Sequence, residues 1–175
     1  MRFAIAAAAV ICLLAGCGMM ESRTGRASTA KATLQPNKDS DVKGAATFAQ
    51  QGEKVQLVAN ISGLKPGQEH GFHIHEKGDC NSGDGMGAGG HFNPLGKPHA
   101  HPSMPERHAG DMFALKSDDY GNATLSIELD VITVTEGPTG IVGRGLIVHA
   151  QADDYNTQPT GNAGARVACG VIQEG

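Results

Sequence analysis

The sequence has no tryptophan, few aromatic residues (4%), no run of basic residues and, after its N-terminal segment, no long apolar run. The formal net charge is −4, and a mildly acidic chain without a basic segment is a poor candidate for binding nucleic acid. No amphipathic helical pattern is present, whereas 25 glycines favour short strands joined by many loops. At 175 residues the chain has room for one domain with a sizeable core and some additional sequence.

The first residues have the pattern of an export signal. Arg2 precedes an apolar run from Phe3 to Leu14, and small residues follow before Cys17. The run is too short to span a bilayer as a stable anchor, so we expect it to be removed.

The stretch from Leu14 to Cys17, LAGC, resembles the lipobox of bacterial lipoproteins. This resemblance implies that residues 1–16 are a lipoprotein signal peptide and that Cys17 becomes the acylated first residue. An ordinary signal cut nearby, with Cys17 incidental, is the alternative. Residues 17–28 are then a flexible tether, and 29–175 form the domain. The expected location is the periplasm or cell envelope, with a membrane anchor.

The chain has four cysteines. If the signal is removed and Cys17 is acylated, Cys12 is lost and only Cys80 and Cys169 keep free thiols. In an oxidising, exported compartment one remaining pair argues for a disulfide. A disulfide between Cys80 and Cys169 would close a loop of 89 positions, which in the chain-entropy model contributes roughly 4–5 kcal/mol to the free energy of unfolding.

Beyond the tether, the apolar residues recur with a period of two. In 54–61, Val55, Leu57, Ala59 and Ile61 fall on one face of a strand, and 122–129 alternates in the same way. This periodicity predicts an all-β sandwich or barrel. The eight candidate strands are 29–34, 44–51, 54–61, 71–76, 111–116, 122–129, 144–150 and 166–172.

Two long segments, 77–110 and 150–165, interrupt the regular spacing of the strands. Loops longer than about 12–15 residues are uncommon in compact domains and are usually functional. We therefore predict that these two loops carry the chemistry.

Histidine is concentrated around the first long loop. His73 and His75 alternate within a strand, so their rings project from the same face, as half of a metal coordination shell would. A surface strand with two titrating side chains is the alternative for this pair alone.

His149 ends an apolar strand, where an isolated ring is costly to bury unless it is bonded or ligated. Imidazole suits copper and zinc, and a carboxylate can complete a zinc site. The number of candidate ligands indicates two metals with a shared ligand: His70, His73, His75, His91, His99, His101, His108, His149 and Asp111.

Five motifs together resemble the copper,zinc superoxide dismutases, in order over residues 29–172: GFHIHEKGDC, HFNPLGKPH, ERHAGD, IVGRGLIVHAQADD and TGNAGARVACGVI. The resemblance implies an eight-stranded antiparallel Greek-key sandwich or barrel with two functional loops. It implies copper ligands His73, His75, His91 and His149. It implies zinc ligands His91, His99, His108 and Asp111, with His91 as the bridge.

The same resemblance implies a reaction and roles for further residues. Two superoxide anions would be converted to oxygen and hydrogen peroxide, with His91 also donating a proton and Arg166 attracting the anionic substrate. Asp153 would hydrogen-bond to His73 and His99, and Cys80 would pair with Cys169. His70 would be structural. His101 has no counterpart in the family and could compete for zinc, but because His99 keeps the family spacing we expect His101 to be exposed to solvent.

The chain departs from the family in its second long loop. The segment 154–165 is shorter than in animal cytosolic enzymes, and between Asp154 and Arg166 it has no charged residue. Long-range attraction of the substrate must come from elsewhere, and Lys77 and Lys97 are the sequence-based candidates.

Two other functions are compatible with parts of the pattern. His73, His75 and Asp79 imitate the metal box of a cupin enzyme, although this leaves the remaining metal-type residues without a role. A metal-buffering or metal-delivering lipoprotein is the non-enzymatic alternative, although such a domain is expected to lose a copper ligand or the docking Arg166. The sequence leaves a homodimer open.

Overall fold

Eight strands form one curled antiparallel sheet in the computed structural model, which describes residues 28–135 and 137–175. The strands of the described residues are β1 Thr29–Pro36, β2 Lys43–Gln51, β3 Lys54–Ser62, β4 Glu69–His70, β5 Phe72–His75, β6 Leu115–Lys116, β7 Ala123–Leu129, β8 Gly145–His149, β9 Arg166–Val171 and β10 Gln173–Glu174. The order in the sheet is β5-β8-β9-β1-β2-β3-β7, with β10 on β1, and β4 pairs with β6 separately. The predicted all-β, antiparallel, eight-stranded class is confirmed.

The core is built from alternate residues of the strands of this sheet. The predicted inward set of β3, from Val55 to Ile61, is buried at alternate positions, and Phe48 of β2 joins it. Each buried aliphatic side chain of this size contributes about 1.5–3 kcal/mol relative to exposure. Because the period of two sets one face inward, a shift of register by one residue would expose the whole set.

One predicted strand, 111–116, is wrong over most of its length. Only Leu115–Lys116 is a strand, and Asp111 forms an isolated bridge with His73. The backbone N–H of Ala114 donates to the Tyr155 hydroxyl at 3.2 Å instead of to a neighbouring strand. This segment is therefore fixed by loop contacts and does not form a continuous ladder.

The first long loop covers the free edge of β5. The N–H of Ile74 donates to the Gly110 carbonyl, and the N–H of Phe92 donates to the Ile74 carbonyl, at 3.1 and 2.8 Å. Gly110 lies so close to the Ile74 carbonyl that a Cβ at this position would collide with it. The loop therefore protects an edge that would otherwise expose unpaired backbone groups.

A disulfide joins Cys80 of this loop to Cys169 of β9, with their Cα atoms 5.6 Å apart. The predicted pairing is confirmed. Within the first loop a short 3-10 helix spans Met86–Ala88.

The predicted signal peptide, its lipidation residue Cys17 and nearly all of the tether (17–28) lie outside the described residues. Among the residues that the structure describes, none belongs to a helix with the length and apolarity needed to cross a membrane.

Candidate metal centre

Two groups of metal-type side chains meet at one shared ring. In each group the four ligand atoms lie within 4.8 Å of one another, and every member is buried. His91 belongs to both groups. We call the first the four-histidine group (His73, His75, His91 and His149) and the second the aspartate group (His91, His99, His108 and Asp111).

Three rings of the four-histidine group belong to strands, and one nitrogen of each of these rings is hydrogen-bonded to an acceptor outside the group. His73 Nε2 lies 2.7 Å from an Asp153 oxygen, His75 Nδ1 lies 2.9 Å from the Gly89 carbonyl, and His149 Nδ1 lies 3.2 Å from the Gly164 carbonyl. Because these acceptors hold the outer N–H groups, the inner nitrogens are left as lone-pair donors.

The inner nitrogens of this group converge. His75 Nε2 and His149 Nε2 are 3.4 Å apart, and His73 Nδ1 and His91 Nε2 are buried without a hydrogen-bond partner in the described part of the chain. Buried polar atoms are almost always partnered, so two that are not, facing two further ring nitrogens, indicate a place for a cation.

In the aspartate group, one carboxylate collects three rings. Asp111 Oδ1 lies 2.9 Å from His91 Nδ1 and His99 Nδ1, and 3.3 Å from His108 Nδ1. Its second oxygen accepts the backbone N–H groups of Ala100 and His108, both at 3.1 Å. Three imidazoles with one carboxylate form a donor set that suits tetrahedral zinc.

Burial lowers the pKa of every ring in the four-histidine group. Desolvation is the largest cause in each case, and it brings the pKa of His91 and His149 to about 4. The pKa of His73 is lowered and that of His75 lies well below its ordinary value. Rings with such pKa values are neutral near pH 7, which is the form that binds metals.

In the aspartate group, the carboxylates of Asp111 and Asp153 change the pKa of His99 in the direction opposite to the effect of burial. Burial alone lowers the pKa of His99, but its hydrogen bonds to Asp111 and Asp153 outweigh burial and raise this pKa to about 9. Burial likewise favours protonated Asp111, but the close ring nitrogens of His108, His91 and His99 hold the pKa of its carboxyl well below the usual range. The aspartate group therefore keeps a negative charge in its centre.

Asp153, from the second long loop, connects the two groups. Its Oδ2 lies 2.7 Å from His73 Nε2 and its Oδ1 lies 3.2 Å from His99 Nε2, and its side chain is buried. These are the two rings to which the sequence analysis assigned it.

A bulge in the sheet places Arg166 beside the four-histidine group. The pairing of β8 with β9 shifts between Val148, which faces Ala168, and His149, which faces Arg166. Directly paired residues point to the same side of a sheet, so the extra residue Val167 brings Arg166 to the side of His149.

The guanidinium of Arg166 donates to the Gly85 carbonyl at 2.7 Å and to the Gly89 carbonyl at 2.6 Å. Burial lowers its pKa, which the nearby Asp84 opposes, but a guanidinium keeps its charge at physiological pH. Arg166 and His149 line one cavity of about 660 Å³.

Other candidate residues lie outside the two groups. His70 donates from Nδ1 to the His149 carbonyl at 2.9 Å, in keeping with the structural role inferred for it. His101 is half-buried instead of fully exposed, because its ring packs edge-on against Tyr155 with centroids 4.6 Å apart. Lys97 is paired with Glu106 at 2.6 Å, and neither Lys77 nor Lys97 lines the cavity.

The sequence analysis missed Gln158, which fixes the backbone of His99. Its Oε1 accepts the His99 N–H at 2.9 Å and its Nε2 donates to the His99 carbonyl at 2.7 Å. A glutamine in a polar loop has no distinguishing sequence pattern, and only its position in the second functional loop pointed towards it.

The residues present thus fit both expected metals. Four imidazoles without a carboxylate suit copper, and three imidazoles with one carboxylate suit zinc. The fixed outer nitrogens are the hydrogen-bonded surroundings that orient metal ligands.

Comparison with known proteins agrees with this geometry. The family model for copper/zinc superoxide dismutase matches residues 42–172. Superoxide dismutase [Cu-Zn] 2 of Brassica juncea is 46% identical over 143 residues, which cover 78% of this chain and 92% of that protein. A crystal structure titled for the clock protein EA4 matches with a TM-score of 0.76 and 42% identity, covering 84% of this chain and 94% of that one. With its family pattern, its fold and two metal-type groups in agreement, the chain belongs to the copper/zinc superoxide dismutase family.

Proposed function

We propose that this enzyme disproportionates superoxide at a centre in which His91 bridges copper and zinc, and that it does so outside the cytoplasm. Copper would be held by the four-histidine group and zinc by the aspartate group. The single observation that carries the bridge is the position of His91: its Nδ1 lies 2.9 Å from Asp111 Oδ1, while its buried Nε2 belongs to the four-histidine group.

When bound, copper supplies a one-electron couple that oxidises one superoxide to oxygen and reduces a second, which takes up two protons to become hydrogen peroxide. The chain supplies the proton path and the docking charge. His91 Nε2 is the site that holds one of these protons and delivers it. Asp111 Oδ1, which lies 2.9 Å from His91 Nδ1, fixes the orientation of the ring.

Arg166 supplies the docking charge. Its two bonds to the Gly85 and Gly89 carbonyls fix the guanidinium at the cavity wall that His149 also lines. A fixed cation at a partly desolvated position attracts a small anion more strongly than a mobile surface charge.

The cupin-like alternative is not supported by the geometry. Asp79, its third expected ligand, is exposed, and its carboxylate accepts the N–H of Asn81 at 3.0 Å. It is not a member of either group of metal-type residues.

Two measurements on one preparation separate a dismutase from a metal buffer. Elemental analysis should give one copper and one zinc per chain, and Arg166→Ile should keep both metals while losing most of the rate of superoxide consumption. Arg166→Lys keeps a charge but cannot span both carbonyls, so we expect an intermediate rate. A single metal at saturation contradicts the bridge, and an unchanged rate in Arg166→Ile contradicts the docking role.

Export as a lipoprotein of the bacterial type is the second part of the proposal. Its support is the LAGC stretch that ends at Cys17, and a disulfide between Cys80 and Cys169 suits an oxidising compartment. Cys17→Ala should move the protein from the membrane fraction to a soluble fraction and abolish incorporation of labelled fatty acid. Equal membrane association of the two forms would contradict lipidation.

A further inference from the structure

We propose that Lys38, in the loop between β1 and β2, is the outer cation that attracts superoxide into the cavity of Arg166. This inference rests on superoxide as the substrate and adds a residue that the family pattern did not supply. Lys38 is exposed and lines the same cavity as His149 and Arg166.

The backbone around Lys38 is fixed to the cavity wall. The N–H of Lys38 donates to the Gly83 carbonyl at 2.7 Å, and the buried Asn37 donates from its side chain to the Arg166 carbonyl at 2.8 Å. The N–H of Asn37 also donates to the Val167 carbonyl at 3.0 Å. The loop that carries Lys38 is therefore attached both to the strand of Arg166 and to the loop whose carbonyls hold the guanidinium.

The ammonium group of Lys38 is available to a substrate. Among residues 28–135 and 137–175, the lysines with an ion pair are Lys54 and Lys97, and Lys38 has none within 4.0 Å. A charge without a protein counter-ion extends its field into the solvent at the cavity mouth.

The balance of charge at the cavity makes this lysine decisive. In the described part of the chain, the cations that line the cavity are Lys38 and Arg166, and the carboxylates are Asp39 and Asp84. The lining is thus formally neutral in a chain whose net charge is −4. Without Lys38 the lining would carry a net charge of one negative unit (Arg166 against Asp39 and Asp84), which would oppose the approach of a small anion.

The test is the second-order rate of superoxide consumption by the copper- and zinc-loaded full chain, measured as a function of ionic strength. At low salt, Lys38→Gln should lower this rate by about twofold, and Lys38→Glu by about fourfold, as expected for one or two unit charges acting over about 10 Å in water. The differences should fade as salt screens the field. Lys38→Arg should keep the rate of the unsubstituted enzyme.

Two further variants test the sign of the charge effect and provide a control for net charge. Asp39 has a positive φ of 60°, which asparagine also adopts readily, so Asp39→Asn should raise the rate without changing the backbone. Lys31→Gln makes the same change of net charge on β1, outside this cavity, and should leave the rate unchanged.

A low-salt rate of Lys38→Gln equal to that of the unsubstituted enzyme would overturn the inference, as would a loss that persists at high salt, because a structural defect is not screened. Loss of the same size in Lys31→Gln would assign the effect to net charge alone and would also overturn it. Failure of the proposed function itself is distinguishable, because the unsubstituted, metal-loaded chain would then consume no superoxide.

Discussion

The four-histidine group and the aspartate group share a ring but have opposite electrostatic environments. In the four-histidine group, burial dominates and the rings are neutral donors, and backbone carbonyls hold the outer nitrogens of two of them, His75 and His149. In the aspartate group, a buried carboxylate dominates, and together with Asp153 it raises the pKa of His99 to about 9. The comparison shows how adjacent groups that share one ring can suit two different cations, because a single carboxylate changes both the charge and the donor set.

Removing the Asp111 carboxylate should have the largest effect on the difference between the two groups. Asp111→Ala takes away one ligand and the acceptor of two backbone N–H groups, so zinc affinity should fall by more than about 100-fold, a larger loss than that typical for outer partners. Copper binding by the four-histidine group should weaken much less. Competition titrations with a chelator, metal by metal, measure both affinities.

His101→Ala is the matched control for Asp111→Ala, because His101 lies two residues from His99 yet outside both groups. Zinc affinity should not change in this variant. Equal loss of zinc in the two variants would mean that the loop, and not the carboxylate, determines the site.

A smaller effect is expected when only the link between the groups is removed. Asp153→Asn keeps the size of the side chain but weakens the bonds to His73 Nε2 and His99 Nε2, so affinity should fall by about 10–100-fold for both metals. Asp154→Asn is the control, since the hydrogen bonds of the Asp154 carboxylate within the described residues go to Asn156 and Thr157 of its own loop. An effect confined to one metal would show that the two groups are not coupled through Asp153.

The smallest change leaves all of these side chains in place and displaces the pair formed by Asp153 and His99. Gly161 has a positive φ of 70°, and a Cβ there would collide with Asp153 Oδ1 and lie only 2.6 Å from His99 Nε2. Gly161→Ala should therefore lower both metal affinities by up to about tenfold, since the displaced Asp153 and His99 keep their donor and acceptor atoms.

Gly67→Ala separates this displacement from backbone strain. Gly67 has a similar φ of 67° with open space around its Cβ position, so it should lose only about 1–2 kcal/mol of stability and no metal affinity. If both glycine variants lost metal equally, strain and not contact with Asp153 would be the cause.

Much of the framework could be predicted because its signal is local. The period-two pattern of β3 and β7 located those strands to within one or two residues, since one face of each must be buried. The segment 111–116 is not a continuous strand because the backbone N–H of Ala114, at its centre, donates to a side chain 41 positions away, and no local pattern encodes such a partner.

The functional site, like the fold, could be predicted where residue type and spacing were sufficient, and could not be predicted where long-range packing decides. The types and spacing of the histidines and of Asp111 were sufficient to propose two metals, because few other functions require so many imidazoles in one loop. The steering charge was assigned to Lys77 and Lys97, whereas the cavity contains Lys38, which the sequence places far from every motif. Long-range packing of the β1–β2 loop decides which lysine reaches the mouth.

By itself, the sequence determined which side chains are able to bind metals and which faces of the strands are buried, because both depend on residue type and short-range period. Only the tertiary structure decided which nitrogen of each ring is free, that a bulge at Val167 brings Arg166 to the side of His149, and that Asp153 reaches both groups. These features depend on hydrogen bonds and packing between segments distant along the chain, and their geometry exists only once the chain has folded.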